Sequence, residues 1–252
     1  LTMHRKASNS KVFDSLVKPI RDALAELSFS EPTLPQTMAI PPILSGENVL
    51  LIAPTGSGKT EAVLLPIFSK LIQQETKLGI SIVYITPLRA LNRDLLKRLS
   101  FWALRLGVSV EVRHGDTELK LRRRQAISPP HMLVTTPETL QAILPGSRMK
   151  QHLSHVRYVV VDEVHDLASS KRGVQLTIAL ERLHEVVGRE FQRVGLSATV
   201  GNPNEVGKFI AGTSRNIRIV QALPHKGYRY HVENPSPIEV DYELAGKLRT
   251  TP

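Results

Sequence analysis

The apolar run Val49-Leu50-Leu51-Ile52 leads directly into Ala53-Pro54-Thr55-Gly56-Ser57-Gly58-Lys59-Thr60, and residues 61–71 then read as a helix. A buried strand, a glycine-rich loop and a helix in that order constrain the chain to an α/β arrangement. Gly56 and Gly58 let the backbone turn back and aim N–H groups inward. A helix opening near Lys59 adds the positive end of its dipole. The pattern is a P-loop. Thr55, Gly56, Ser57 and Gly58 form the cradle, Lys59 reaches the β- and γ-phosphates of a nucleotide, and Thr60 offers its hydroxyl to Mg²⁺. The first position is Ala53, where the strict form has glycine. A ligand-free glycine-rich turn is the alternative, and it needs the Lys-Thr pair to arise by chance in this context.

Short β-rich runs alternate with helical patterns along the rest of the chain. Strands are expected at 49–53, 80–86, 108–114, 131–135, 156–162, 193–197 and 216–220. Helices are expected at 13–27, 34–44, 59–74, 89–106, 118–127, 138–143, 174–188 and 203–211. The run from Val156 to Val161 is interrupted only by Arg157 and Tyr158. Near-continuous apolar strands suit a sheet covered on both faces, and the alternation argues for parallel strands. After Val220, Pro224, Gly227, Pro235 and Pro237 read as a linker. The expected organisation is N-terminal helices over 1–45, an ATP-binding domain over 46–222 and a linker over 223–252.

The 252 residues include 41% hydrophobic ones, enough for a real core, and no run approaches a membrane span. There is no cysteine, which removes disulfides, zinc fingers and thiol catalysis. With no signal-peptide pattern, the reading is a cytoplasmic protein with no membrane partner. The chain opens on Leu1, which suggests a piece of a longer protein. Net charge is +10, and residues 86–125 hold ten Lys or Arg against four acids. A clustered basic surface points to a polyanionic partner, with solvated helix faces as the plain alternative.

Val159-Val160-Val161-Asp162-Glu163-Val164-His165 ends a buried strand on two acids and a histidine. Mg²⁺ needs a carboxylate opposite the P-loop hydroxyl, and Asp162 is placed to supply it through water. Hydrolysis also needs a group that orients or deprotonates the attacking water, and Glu163 suits that role. The alternative is that the two acids merely open a helix. Ser197-Ala198-Thr199 follows another short strand; alone it says little.

In the order P-loop, Asp-Glu-x-His, Ser-Ala-Thr, the chain resembles the first RecA-like motor domain of superfamily 2 helicases, in their DExH form. That resemblance implies a RecA-like α/β fold, ATP and Mg²⁺ as ligands, and Lys59, Asp162 and Glu163 as the catalytic set. It implies that Gln36 reads adenine and that His165, Ser197 and Thr199 couple the ATP site to the rest of the motor. Phe29 is read first as a core residue, with base stacking as the alternative. Thr86-Pro87-Leu88-Arg89-Ala90-Leu91 and Thr135-Thr136-Pro137-Glu138-Thr139-Leu140 resemble the family's nucleic-acid motifs, which assigns Pro87, Arg89, Thr136 and Pro137 to phosphate contacts. Thr136 also reads as a helix cap with Pro137 behind it, and both readings can hold.

Gln36 to Pro41, Pro87 to Leu91, His114-Gly115-Asp116-Thr117 and Lys171-Arg172-Gly173 resemble the large helicase-related (Lhr) group, with Hel308/Ski2-like enzymes as the alternative. The resemblance implies a single-stranded or partly duplex DNA partner, with RNA as the other option. It also implies a second RecA-like domain, whose Gln-x-x-Gly-Arg-x-Gly-Arg motif does not occur in these residues. A GTPase is disfavoured because no Asn-Lys-x-Asp guanine reader is present, and a small-molecule kinase has no use for the two nucleic-acid motifs. His152 and His155 lie three apart without a partner cluster, so a structural metal is not expected.

Overall fold

The computed structural model describes residues 11–73, 79–88, 91 and 93–223. Its elements, in chain order, begin with α1 (Lys11–Asp14), α2 (Lys18–Glu26), α3 (Leu34–Leu44), β1 (Val49–Ile52), α4 (Lys59–Ile72) and β2 (Ile82–Ile85). They continue with α5 (Arg93–Arg105), β3 (Val110–Arg113), α6 (Leu119–Ile127), β4 (Met132–Thr135), α7 (Pro137–Ile143) and α8 (Ser147–Leu153). The last are β5 (Tyr158–Val161), α9 (Val164–Ala168), α10 (Lys171–Val187), β6 (Gln192–Ser197), α11 (Pro203–Ala211) and β7 (Arg218–Gln221). The strands form one sheet in the order β3-β4-β2-β5-β6-β1-β7, every pair parallel. All seven expected strands are present.

Alternation along each strand sorts the apolar residues into two cores. Val49, Leu51, Ile82, Tyr84, Val134, Val160 and Val194 face α2–α5, while Leu50, Ile52, Val83, Ile85, Leu133, Val159 and Val161 face α7–α11. Both faces being covered is why the strands read as unbroken apolar runs. Among the described residues, no helix is long and apolar enough to cross a membrane.

Three expectations need correction. The helix expected over 13–27 is two pieces, because Pro19 in the first turn of α2 cannot continue a helix from α1. Of the one expected at 89–106, the described helical part is α5, Leu91 is not helical, and Arg89 lies outside the described residues. Helices α8 and α9, seven and five residues long, were not expected; they are too short to show periodicity. The linker expected after residue 222 lies outside the described residues from 224 onward. Gly173 has a packing reason: a Cβ there would stand 2.2 Å from the Leu167 carbonyl oxygen, so only glycine lets α10 start against α9.

Candidate functional site

Parallel strands deliver their C-terminal ends to one edge, where open α/β sheets bind ligands. The P-loop leaves β1, Asp162 and Glu163 leave β5, and Ser197 ends β6 between them. Gly58, at φ 84°, caps α4 in the left-handed region and offers no side chain, so the first N–H groups of α4 lack intrahelical acceptors. The positive φ favours glycine here, and a Cβ would lie 2.9 Å from Gln36 Nε2 and displace that amide. Lys59 is buried at 8% exposure, and its Nζ has no hydrogen-bond partner. A buried ammonium without a partner is costly in an empty protein and suits a site built for an anion.

Gln36 is fixed by the start of α3: its Oε1 accepts the Thr33 N–H at 2.9 Å, which leaves the amide nitrogen turned to the P-loop. A cavity of about 380 Å³ is lined by Phe29, Glu31, Thr33, Gln36, Gly58 and Arg98, among others. Phe29 is 53% exposed, so the core reading of Phe29 is wrong: it stands at the rim of this cavity. Arg98 on α5 donates to Glu61 in the first turn of α4 at 2.9 Å, tying the two helices across the cavity mouth. A larger cleft of about 760 Å³ opens at the opposite sheet edge, around Glu47, Glu190, Arg215 and Arg218. Its charges pair with one another (Arg215 with Glu190 at 2.8 Å, Arg218 with Glu47 at 2.6 Å), so it is less suited to an anion than the smaller cavity.

Asp162 is 8% exposed, and both of its oxygens accept: Oδ2 from the Tyr84 hydroxyl at 2.5 Å and Oδ1 from the Glu163 N–H at 2.9 Å. Burial pushes its pKa up, against the pull of Tyr84, the Glu163 N–H, Lys59 and Arg98. Glu163 is also raised, by burial first and then by Asp162. Glu163 caps α9 at φ 49°, a left-handed conformation that is strained for a residue with a Cβ. Its Oε2 is buried without a hydrogen bond, 3.4 Å from His165 Nδ1. Glu163 thus opens α9, as the helix-start alternative expected. His165 Nδ1 lies 3.2 Å from Ser197 Oγ, which donates to the Thr199 carbonyl at 3.0 Å. Hydrogen-bond contacts run from His165 through Ser197 to Thr199, with Glu163 at ion-pair distance from His165.

The second pair of loops lies beside the first. Ile85 pairs with Thr135 in the sheet and the Thr86 N–H bonds the Thr135 carbonyl at 3.0 Å, so Thr86-Pro87 and Thr136-Pro137 sit side by side. The Thr136 hydroxyl accepts the Thr139 N–H at 3.4 Å, so Thr136 caps α7 with Pro137 at its start. Several cations of the basic window are held internally: Arg98 by Glu61, Arg105 by Glu26 and Arg124 by Glu111. Lys97, Lys120 and Arg123 are exposed. Sequence reasoning missed Tyr84, Glu61 and Arg98; the one available signal was a tyrosine in an otherwise aliphatic strand.

The residues fit a nucleotide with Mg²⁺: Lys59 Nζ is unpartnered, Gly58 leaves the cradle open, and Asp162 stands opposite the loop. Among the described residues no three His, Asp or Glu converge as a metal cage. Mg²⁺ held by phosphates and water needs only one or two protein ligands. A profile of DEAD/DEAH box helicases matches residues 33–206. The chain belongs to the DEAD/DEAH box helicase family. This helicase domain is 37% identical over 249 residues to the ATP-dependent helicase Lhr-Core of Methanocaldococcus jannaschii, covering 92% of this chain and 29% of that one. It is 30% identical over 215 residues to the ATP-dependent DNA helicase Hel308 of Pyrococcus abyssi, covering 83% and 28%. Among solved structures, Mycobacterium smegmatis helicase Lhr bound to ssDNA and AMP-PNP superposes with a TM-score of 0.77 at 36% identity, covering 83% of this chain and 28% of that one. The helicase domain therefore spans under a third of the length of these relatives, and its RecA-like fold is theirs.

Proposed function

We propose that residues 46–222, with the helices before them, are the ATP-binding half of an Lhr-like motor that moves on single-stranded or partly duplex DNA, with RNA as the alternative track. The observation that carries this reading is Lys59 Nζ, buried and unpartnered at the head of the P-loop beside Asp162 and Glu163. Thr55, Gly56, Ser57 and Gly58 surround the phosphates, Thr60 and Asp162 hold Mg²⁺, and Gln36 reads adenine with Phe29 at the cavity rim. Mg²⁺ held there would supply neutralisation of phosphate charge. Glu163 orients and deprotonates the attacking water, and its raised pKa suits a proton acceptor better than an ordinary surface carboxylate does. His165, Ser197 and Thr199 carry the state of that site toward the neighbouring strand ends. Pro87, Arg89, Thr136 and Pro137 hold track phosphates, and the ssDNA-bound M. smegmatis relative supports a single-stranded DNA track.

A second RecA-like domain supplies arginines to the γ-phosphate. Such residues are worth roughly 10³–10⁵ in rate in related NTPases. The 252 residues alone therefore bind ATP and nucleic acid weakly and hydrolyse ATP very slowly. The test is equilibrium binding of a fluorescent, non-hydrolysable ATP analogue with Mg²⁺, comparing the chain with Lys59→Ala. Loss of binding on substitution is expected; equal binding overturns the reading. Robust DNA-stimulated turnover by the chain alone would contradict the half-motor reading. In a longer protein carrying the second domain, Glu163→Gln is expected to keep binding and lose hydrolysis.

A further inference from the structure

We propose that Tyr84 is a positioning residue for the nucleotide site: its buried phenol holds the Asp162 carboxylate in the orientation that meets a divalent cation. The inference rests on the nucleotide-site reading above and goes beyond its motif residues, because Tyr84 belongs to none of them.

Tyr84 sits within β2 at 0% exposure, and its hydroxyl donates to Asp162 Oδ2 at 2.5 Å. The second oxygen, Oδ1, accepts the Glu163 N–H at 2.9 Å. A carboxylate at a strand end has two soft torsions, and donors on both oxygens fix both of them. Each oxygen has about two lone-pair positions, so each keeps one for water or a cation. The side chain is locked from both ends: the Tyr84 ring packs in the core with Ile82, Val160 and Val194, and the Asp162 N–H bonds the Ile85 carbonyl at 2.8 Å. Packing alone does not explain the hydroxyl, since the other β2 residues are aliphatic and a phenylalanine would fill the same space. A buried phenol needs an acceptor, and the acceptor here is the carboxylate opposite the P-loop. This is the outer-shell arrangement that orients ligating carboxylates in metal sites generally.

Binding of a fluorescent ATP analogue to the 252-residue chain, in Mg²⁺ and in EDTA, tests it. Tyr84→Phe is expected to leave affinity in EDTA unchanged, to weaken affinity in Mg²⁺ by about tenfold, and to raise the midpoint of an Mg²⁺ titration by a similar factor. Asp162→Asn is expected to remove the Mg²⁺ enhancement, with Tyr84→Phe adding nothing further. An equal loss in both media, an unchanged Mg²⁺ dependence, or additive effects overturn the inference. So does a Tyr84→Phe chain that folds only when Asp162→Asn accompanies it, because the hydroxyl then serves stability alone. An unmodified chain that binds no analogue defeats the nucleotide-site reading itself. One that binds normally and ignores Tyr84→Phe defeats only the role of the phenol.

Discussion

At the N-terminal ends of β1, β6 and β7, Arg193, Arg215 and Arg218 each have an ion partner; at the C-terminal end of β1, Lys59 Nζ has no hydrogen bond. Arg193, 1% exposed, gives Nη1 to Glu181 at 3.0 Å and to the Ile210 and Ala211 carbonyls, and its guanidinium, whose Nε and Nη2 make no hydrogen bond, lies 4.9 Å from the Phe191 ring centre. Gln192 donates to the Ile43 and Glu47 carbonyls, and Asn48 bridges Arg193 to Asn216. At the other edge Lys59 Nζ and Glu163 Oε2 are buried without hydrogen bonds, and Glu163 is held at a positive φ. The same sheet thus carries a finished edge, whose charged groups pair with its own side chains, and a waiting edge, where Lys59 Nζ and Glu163 Oε2 make no hydrogen bond. A cation with no hydrogen-bonded partner, Lys59, rather than cavity size, distinguishes the waiting edge: the larger cleft lies where Arg215 and Arg218 are paired.

The sharpest way to break this contrast is at Arg193. Arg193→Ala empties a fully buried side-chain site and leaves the Ile210 carbonyl without its donor, while Glu181 and the Ala211 carbonyl keep Arg215, and a loss of about 3 kcal/mol is expected. For a domain of this size that lowers the melting temperature by roughly 6–12 °C. Circular dichroism melts would show it, and a neutral outcome would mean the finished edge is not stabilising. Next in size is ligand stabilisation of the waiting edge. A non-hydrolysable ATP analogue with Mg²⁺ at about 100 times its Kd should add about 2.7 kcal/mol, read as a higher melting temperature that Lys59→Ala abolishes.

A smaller effect of opposite sign to Arg193 is expected at Glu163. Glu163→Gln removes a carboxylate that burial disfavours, so the ligand-free chain should melt about 1–2 °C higher at neutral pH. A lower melting temperature would show that this edge is not strained by its own charge. Least in size is acid behaviour. Arg215 draws Glu190 below the usual carboxylate range, and Arg193 with Arg215 outweighs burial to do the same for Glu181. Depressed carboxylates give stability above their unfolded pKa that is lost as pH falls through the folded value. The Glu181→Gln/Glu190→Gln chain should therefore show a flatter dependence of melting temperature on pH below about 4.5.

The strands were legible because both sheet faces are buried, which leaves continuous apolar runs such as 49–52 and 158–161. Helices α3 and α11 were legible to the residue because Thr33 with Gln36, and Asn202 with Pro203, mark their starts chemically. Helices α8 and α9 were not, since one or two turns carry no period. The P-loop and the acidic pair were readable from local spacing. Tyr84 was not, because a tyrosine in a strand looks like core until the fold brings residue 162 beside it, 78 positions away. Phe29 failed for a related reason: an apolar side chain does not announce which surface it lines.

Gly173 carries a consequence for how such a chain can drift. It touches no proposed ligand, yet any side chain there must push α10 off the Leu167 carbonyl, and Leu167 lies two residues from His165 on the short helix capped by Glu163. A substitution at 173 is therefore paid for at the acidic turn. Selection on the turn reaches a position that a survey of contacts would file as filler, and a glycine of no chemistry becomes as hard to replace as a ligand.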